Sequence, residues 1–133
     1  ITQVRQRAPD TGVTVLDGPP GTSCSMVASV EGADHAVLVA EATPFGLHDL
    51  GMAAEATRHL GVSLSVILNR TLGDDAEAMV FLDQHNLSLL GCIPDDRQVA
   101  ECAARGGIPY RDIPSFGQGI REILDRLLEV TRS

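Results

Sequence analysis

Val13-Thr14-Val15-Leu16-Asp17-Gly18-Pro19-Pro20-Gly21-Thr22-Ser23-Cys24 is the stretch on which the reading of this chain turns. A short run of apolar and β-branched residues leads into a carboxylate, and the carboxylate into a Gly/Pro turn. The run predicts a strand over Val13–Leu16. Asp17 then falls at the carboxyl end of that strand, where ligands of open parallel sheets sit. A carboxylate there can hold Mg²⁺ directly or through water. Pro19 and Pro20 lack an N–H and stiffen the turn. Gly18 and Gly21 keep theirs and leave room for close approach of a phosphate. Thr22 and Ser23 open a short helix whose amino end favours an anion. A tight turn with no ligand is the plainer reading of the same cluster.

Working outward, three more apolar runs read as strands: Ala36–Ala40, Leu64–Leu68 and Leu87–Cys92. They are rich in Val, Ile and Leu with little alternation, as in parallel strands covered on both faces. Helical patterns separate them. Leu47, Leu50, Ala54 and Thr57 form one stripe of a helix over about Leu47–Leu60, stopped by Gly61. Asp74 with Glu77 and Asp95 with Gln98 have the spacing of capping boxes, opening helices to about His85 and about Arg105. Ser115 with Gln118 opens the last helix, whose stripe is Ile120, Ile123, Leu124, Leu127 and Leu128. Gly106–Pro114 reads as loop, with room for one short edge strand. The expected fold class is α/β, a three-layer, mostly parallel sheet flanked by helices, with residues 1–133 as a single domain.

Composition narrows the function. The 133 residues are 44% hydrophobic, enough for a core without disulfides or metals, but only 3% aromatic, so Val, Leu, Ile and Ala must build it. A net charge of -8 argues against a general nucleic-acid binder. All ten basic residues are Arg; a phosphate-gripping P-loop uses a Lys, which this sequence does not contain. No apolar run is long enough for a membrane span. Cys24, Cys92 and Cys102 form no C-x-x-C pair, fit a reduced cytoplasmic compartment, and read as packing residues. His35, His48, His59 and His85 lack metal-site spacing. Gly21-Thr22-Ser23 is no nucleophile elbow.

Three segments in order, VLDGPPGTSC (Val15–Cys24), VLVAEATPFGLHDL (Val37–Leu50) and VILNR (Val66–Arg70), resemble the MinD/ParA/CobQ group of P-loop ATPases. Within it, they look like the MinD-like branch with an inserted ferredoxin domain. Ser25 departs from the Pro that the family often has there. The resemblance covers the carboxyl-terminal half of such an ATPase, a partial P-loop NTPase fold lacking the P-loop strand. It implies ATP and Mg²⁺ as ligands. Asp17 would be the Walker-B carboxylate, catalytic and bound to Mg²⁺ through water. Gly18, Pro20 and Gly21 would belong to the switch turn, with the Gly21 N–H near the γ-phosphate. Asn69 would read adenine with its side-chain amide, which offers a donor and an acceptor. Arg70 would lie beside the base, and Ile93, Pro94 and Asp95 would form the second wall of the pocket. On residue chemistry alone, Asn69 also suits a turn, Arg70 a solvated surface, and Asp95 a helix cap with the ribose nearby.

The same resemblance places the Lys-bearing loop and any iron–sulfur cluster ligands before Ile1, as expected of a fragment, with iron–sulfur or electron-transfer chemistry as the implied task. The fragment alone is then expected to be inactive and a weak nucleotide binder. Its implied partners are ATP or ADP, a second copy or a strand-completing chain, and a redox or iron–sulfur protein. In this family the P-loop strand separates the strand ending at Asp17 from Ala36–Ala40. Without it, the two are expected to close on each other, or another chain to fill the slot. An alternative function is a non-catalytic iron–sulfur carrier or scaffold with a regulatory nucleotide site. A phosphorylation-receiver fold fits the strand–helix order, but it needs clustered acidic residues and a late Lys.

Overall fold

The computed structural model describes residues 12–132. Its elements are α1 (Cys24–Val30), β1 (His35–Glu41), α2 (Pro44–His59), β2 (Ser63–Thr71), α3 (Ala76–Gln84), β3 (Leu89–Pro94), α4 (Arg97–Ala104), α5 (Pro109–Asp112) and α6 (Pro114–Arg132). The strands form a parallel sheet in the order β1-β2-β3. Helices lie on both faces, giving three layers.

One face carries the core. Leu47, Leu50 and Ala54 of α2 and Ala78 and Leu82 of α3 pack with Val66 and Leu68 of β2. The stripe expected on α2 is buried in full, Thr57 included. Thr57 Oγ1 donates to the Ala53 carbonyl at 2.8 Å, so the buried hydroxyl is satisfied within its own helix. Pro44 at the first turn and a Thr43 cap, whose Oγ1 accepts from the Gly46 N–H at 3.0 Å, start α2 earlier than its apolar stripe does.

On the other face, Ile123 of α6 lies so close to Gly91 that a Cβ there would come within 2.7 Å of Ile123 Cγ1. Arg126 Nη1 donates to the Leu90 carbonyl at 2.8 Å and fixes α6 along β3. Over β1 this face is open, and Val39 is 60% exposed.

Three expectations are corrected. Val13–Leu16 forms no strand, and Val13 and Val15 are exposed. A strand exists only where a neighbour takes its N–H and C=O groups, and among the described residues no strand pairs with this run. It does not close onto β1, which among the described residues pairs with β2 alone. The loop expected at Gly106–Pro114 contains the short helix α5, held by Asp112 Oδ2, which accepts from the Ile108 N–H at 2.8 Å. Finally, Cys24 and Cys92 are exposed rather than packed in the core.

Candidate functional site

The carboxyl ends of the three strands bring one group of residues together. Glu41 ends β1 opposite Asn69 of β2, and Asn69 lies opposite Ile93 of β3. The register then slips: Thr71 pairs with Pro94, so Arg70 is the extra residue of a bulge. Its φ of 56° is the left-handed conformation that bulges and turns use. Bulged backbone re-aims a side chain, and Arg70 is turned across the strand ends. Its Nη1 donates to Glu41 Oε1 at 3.2 Å and its Nε to Asp95 Oδ1 at 3.3 Å. The hydrogen bond to Asp95, then the charges of Asp95 and Glu41, raise the pKa of the guanidinium above its ordinary value. The Asp95 N–H donates back to the Thr71 carbonyl at 3.0 Å, tying the start of the next loop to β2.

Asn69 is half-buried beside this cluster, and its amide makes no hydrogen bond among the described residues. An amide placed so, with donor and acceptor both unused, is suited to a planar ligand edge. Among the sequence candidates, Asn69, Arg70, Ile93, Pro94 and Asp95 therefore converge.

One of their expected roles changes and another gains detail. Asp95 is not the helix cap: Asp96 is, its Oδ1 accepting from the Gln98 N–H at 2.7 Å. One residue of extra chain after Pro94 frees Asp95 to face Arg70. Arg70 is an exposed surface cation, and it also bridges two carboxylates. Glu41 is the residue that sequence reasoning missed as a site member. Its signal was its place at the end of a strand expected to run parallel to the one ending in Asn69-Arg70.

Asp17, Gly18, Pro20 and Gly21 form a second group. All four are exposed, and the Asp17 carboxylate enters no ion pair or hydrogen bond among the described residues. Gly21 has φ +81° with open space where a Cβ would point. At Gly18 a Cβ would stand 3.3 Å from Ser29 Cβ, so this turn packs close to α1. Ser23 caps α1, its Oγ accepting from the Met26 N–H at 3.5 Å. No hydrogen bond among the described residues joins this turn to the strand-end cluster. Nor do the described residues contain a His/Cys/Asp/Glu group fit to hold a metal by itself.

A three-stranded parallel sheet flanked by helices is similar to the fold of the MinD ATPases. The cell division ATPase MinD of Pyrococcus furiosus matches with a TM-score of 0.72 at 20% identity, over 86% of this chain and 50% of that one. The MinD cell division protein of Aquifex aeolicus matches with a TM-score of 0.74 at 20% identity, over 85% of this chain and 51% of that one. An uncharacterized protein of Methanocaldococcus jannaschii is 26% identical over 106 residues, 78% of this chain and 36% of its own length. This chain thus spans about half the length of the solved MinD chains it matches. No protein-family model matches it. No helix among the described residues is long and apolar enough to cross a membrane.

Proposed function

We propose that this chain is the base-reading and switch half of a MinD-like ATPase and that it binds an adenine nucleotide at the carboxyl ends of β1, β2 and β3. The observation that carries this reading is the half-buried Asn69 amide with no partner among the described residues. It stands at the end of the central strand of a MinD-like fold, where open parallel sheets bind ligands. Ile93, Pro94 and Asp95 supply the adjoining wall.

Mg²⁺ fits the Asp17 turn by the chemistry of its donor. A free, exposed carboxylate is a hard oxygen ligand, and it leaves room for the waters that Mg²⁺ keeps. When bound, Mg²⁺ would neutralise phosphate charge. The chain's own contribution is to hold Asp17 at the rim and to offer the Gly21 N–H to the terminal phosphate. Hydrolysis, a nucleotide-dependent dimer or strand-completing partner, and the link to iron–sulfur or electron-transfer chemistry belong to the longer protein.

The test is an NMR titration of the 133-residue chain with MgATP. Weak, millimolar binding that moves the Asn69 side-chain amide and is lost in Asn69→Ala supports the reading. Unchanged binding in that variant, or no response at the strand ends, sinks it. Micromolar affinity by calorimetry would remove the half-site view.

A further inference from the structure

Glu41, Asn69 and Ile93 stand in one row across the carboxyl ends of β1, β2 and β3, each the register partner of the next. Register partners in a parallel sheet lie about 4.8 Å apart and point to the same face. Ala40 and Leu68, one residue earlier, pack toward the core, so Glu41 and Asn69 point to the opposite face. The row therefore offers a carboxylate, an amide and an alkyl wall side by side. The carboxylate is held in two ways. Gly46 lets α2 close directly on the Glu41 carbonyl oxygen, which fixes the backbone. Arg70 Nη1 donates to Oε1 at 3.2 Å, which orients the side chain. Oε2 has no partner among the described residues, and the side chain is 47% exposed. Asp95, the second carboxylate on Arg70, is outside the row. Its N–H donates to the Thr71 carbonyl, two residues beyond Asn69.

We propose that Glu41 is the specificity residue that selects a 6-amino purine over a 6-oxo purine. The inference rests on the nucleotide reading above and deepens it, because an amide alone cannot make this choice. Asn69 carries a donor and an acceptor on one pivot, and a half-turn exchanges them. It suits the amino group of adenine in one orientation and the carbonyl of hypoxanthine or guanine in the other. An ionised carboxylate only accepts. Oε2 beside Asn69 gains a charge-assisted hydrogen bond from the second N–H of a 6-amino group. A 6-carbonyl oxygen in the same place meets a like charge, and Oε2 loses its water without a replacement. Glu41 thus disfavours the wrong base as well as favouring the right one. The ion pair gives this acceptor its direction. Exposed pairs of this kind add little to stability, but a glutamate anchored at Oε1 presents Oε2 along a set line.

The experiment follows the Asn69 side-chain amide resonances of the 133-residue chain. Adenosine, inosine and purine riboside are titrated separately at millimolar concentration. Purine riboside carries no group at the sixth ring position and sets the baseline. Adenosine should bind about tenfold tighter than inosine, with purine riboside between them. Glu41→Gln keeps the size of the side chain but can donate as well as accept. It should erase the preference or turn it toward inosine, with purine riboside binding as to the parent chain. Backbone amide shifts away from the strand ends should stay unchanged in this variant. Asp95→Asn leaves Glu41 in place and should keep the preference for adenosine over inosine, even where both bind more weakly. If adenosine and inosine move Asn69 with equal affinity in the parent chain, the nucleotide reading stands and the role of Glu41 is overturned. A Glu41→Gln chain that keeps the parent's preference overturns it too. If Asp95→Asn alone abolishes the preference, the choice is made by Asp95 and not by Glu41. If none of the three nucleosides moves Asn69, the nucleotide reading falls and this inference with it.

Discussion

The Arg70 Nε–H donates to Asp95 Oδ1 at 3.3 Å, closing the end of β2 onto the loop after β3. The next residue, Asp96, points its carboxylate the other way, into the first turn of α4. Two adjacent acids of one chemistry thus serve two purposes, one across the site and one along a helix axis. Their substitution should separate the two. Asp96→Ala leaves the Gln98 N–H without its cap and should lower stability by about 1 kcal/mol in a urea melt. Asp95→Ala removes an exposed pair and should shift the melt less, while weakening the response to adenosine. Equal losses of stability from both would show that Asp95 is structural after all.

Gly46 controls how closely α2 approaches the end of β1. A Cβ at this position would collide with the Glu41 carbonyl oxygen and stand 3.1 Å from Thr43 Oγ1. Neither neighbour can retreat freely, since Thr43 caps the helix and Glu41 is strand backbone. Gly46→Ala should therefore cost about 1–3 kcal/mol of stability, in the range of other overpacking changes. It should also displace Glu41 and loosen Arg70. Gly119, which has nothing within 4 Å of its Cβ position, is the control: Gly119→Ala should be neutral or slightly stabilising.

The amino ends of the strands carry a pH dependence. His35 Nε2 and Ser65 Oγ are 3.0 Å apart, and Ser65 is fully buried. Burial pushes the imidazole below its ordinary value of 6.5. In the unfolded chain His35 takes its proton near that value; in the fold it does so at lower pH. Between the two, the unfolded state binds more protons, so stability rises with pH. It is fully present above 6.5 and is lost as pH falls through the folded value. Acidifying from about pH 7 to about pH 5 should lower the melting temperature of the parent chain more than that of His35→Asn. The difference should be small, because His35 is half-buried and solvent screens its charge. A larger fall in the variant would reverse the assignment.

Strand and helix order was legible because β1, β2 and β3 are local apolar runs and α2 carries a full buried stripe. The nearness of Asn69, Ile93 and Pro94 was legible too, because each lies at the end of one of these parallel strands. What escaped depends on contacts distant in sequence. Periodicity gives Val13–Leu16 the look of a strand, but pairing requires a neighbour. Capping-box spacing points to Asp95, with Gln98 three residues on, but the helix starts one residue later and Asp96 caps it through the Gln98 N–H. The bulge at Arg70 is a property of β2 and β3 together. Without it, Glu41 has no evident role.

The outer edge of β1 tests the expectation that another chain completes this sheet. Among the described residues β1 pairs only with β2, so its second edge has unused N–H and C=O groups. Leu38 and Ala40 turn toward the core, while Val39 lies 60% exposed on the face that α6 leaves uncovered. A free edge beside an apolar face is a template for another strand, and a Lys on such a strand suppresses pairing. Analytical ultracentrifugation of the 133-residue chain should then show association that grows with concentration. Val39→Lys should return it toward monomer while leaving stability within about 0.5 kcal/mol, since the valine is not in the core. Adding a polypeptide that supplies the missing strand should also suppress self-association, because the two compete for one edge. A chain that stays monomeric at every concentration, in both forms, would show that this edge is not a docking surface and that the strand-completing partner is unnecessary.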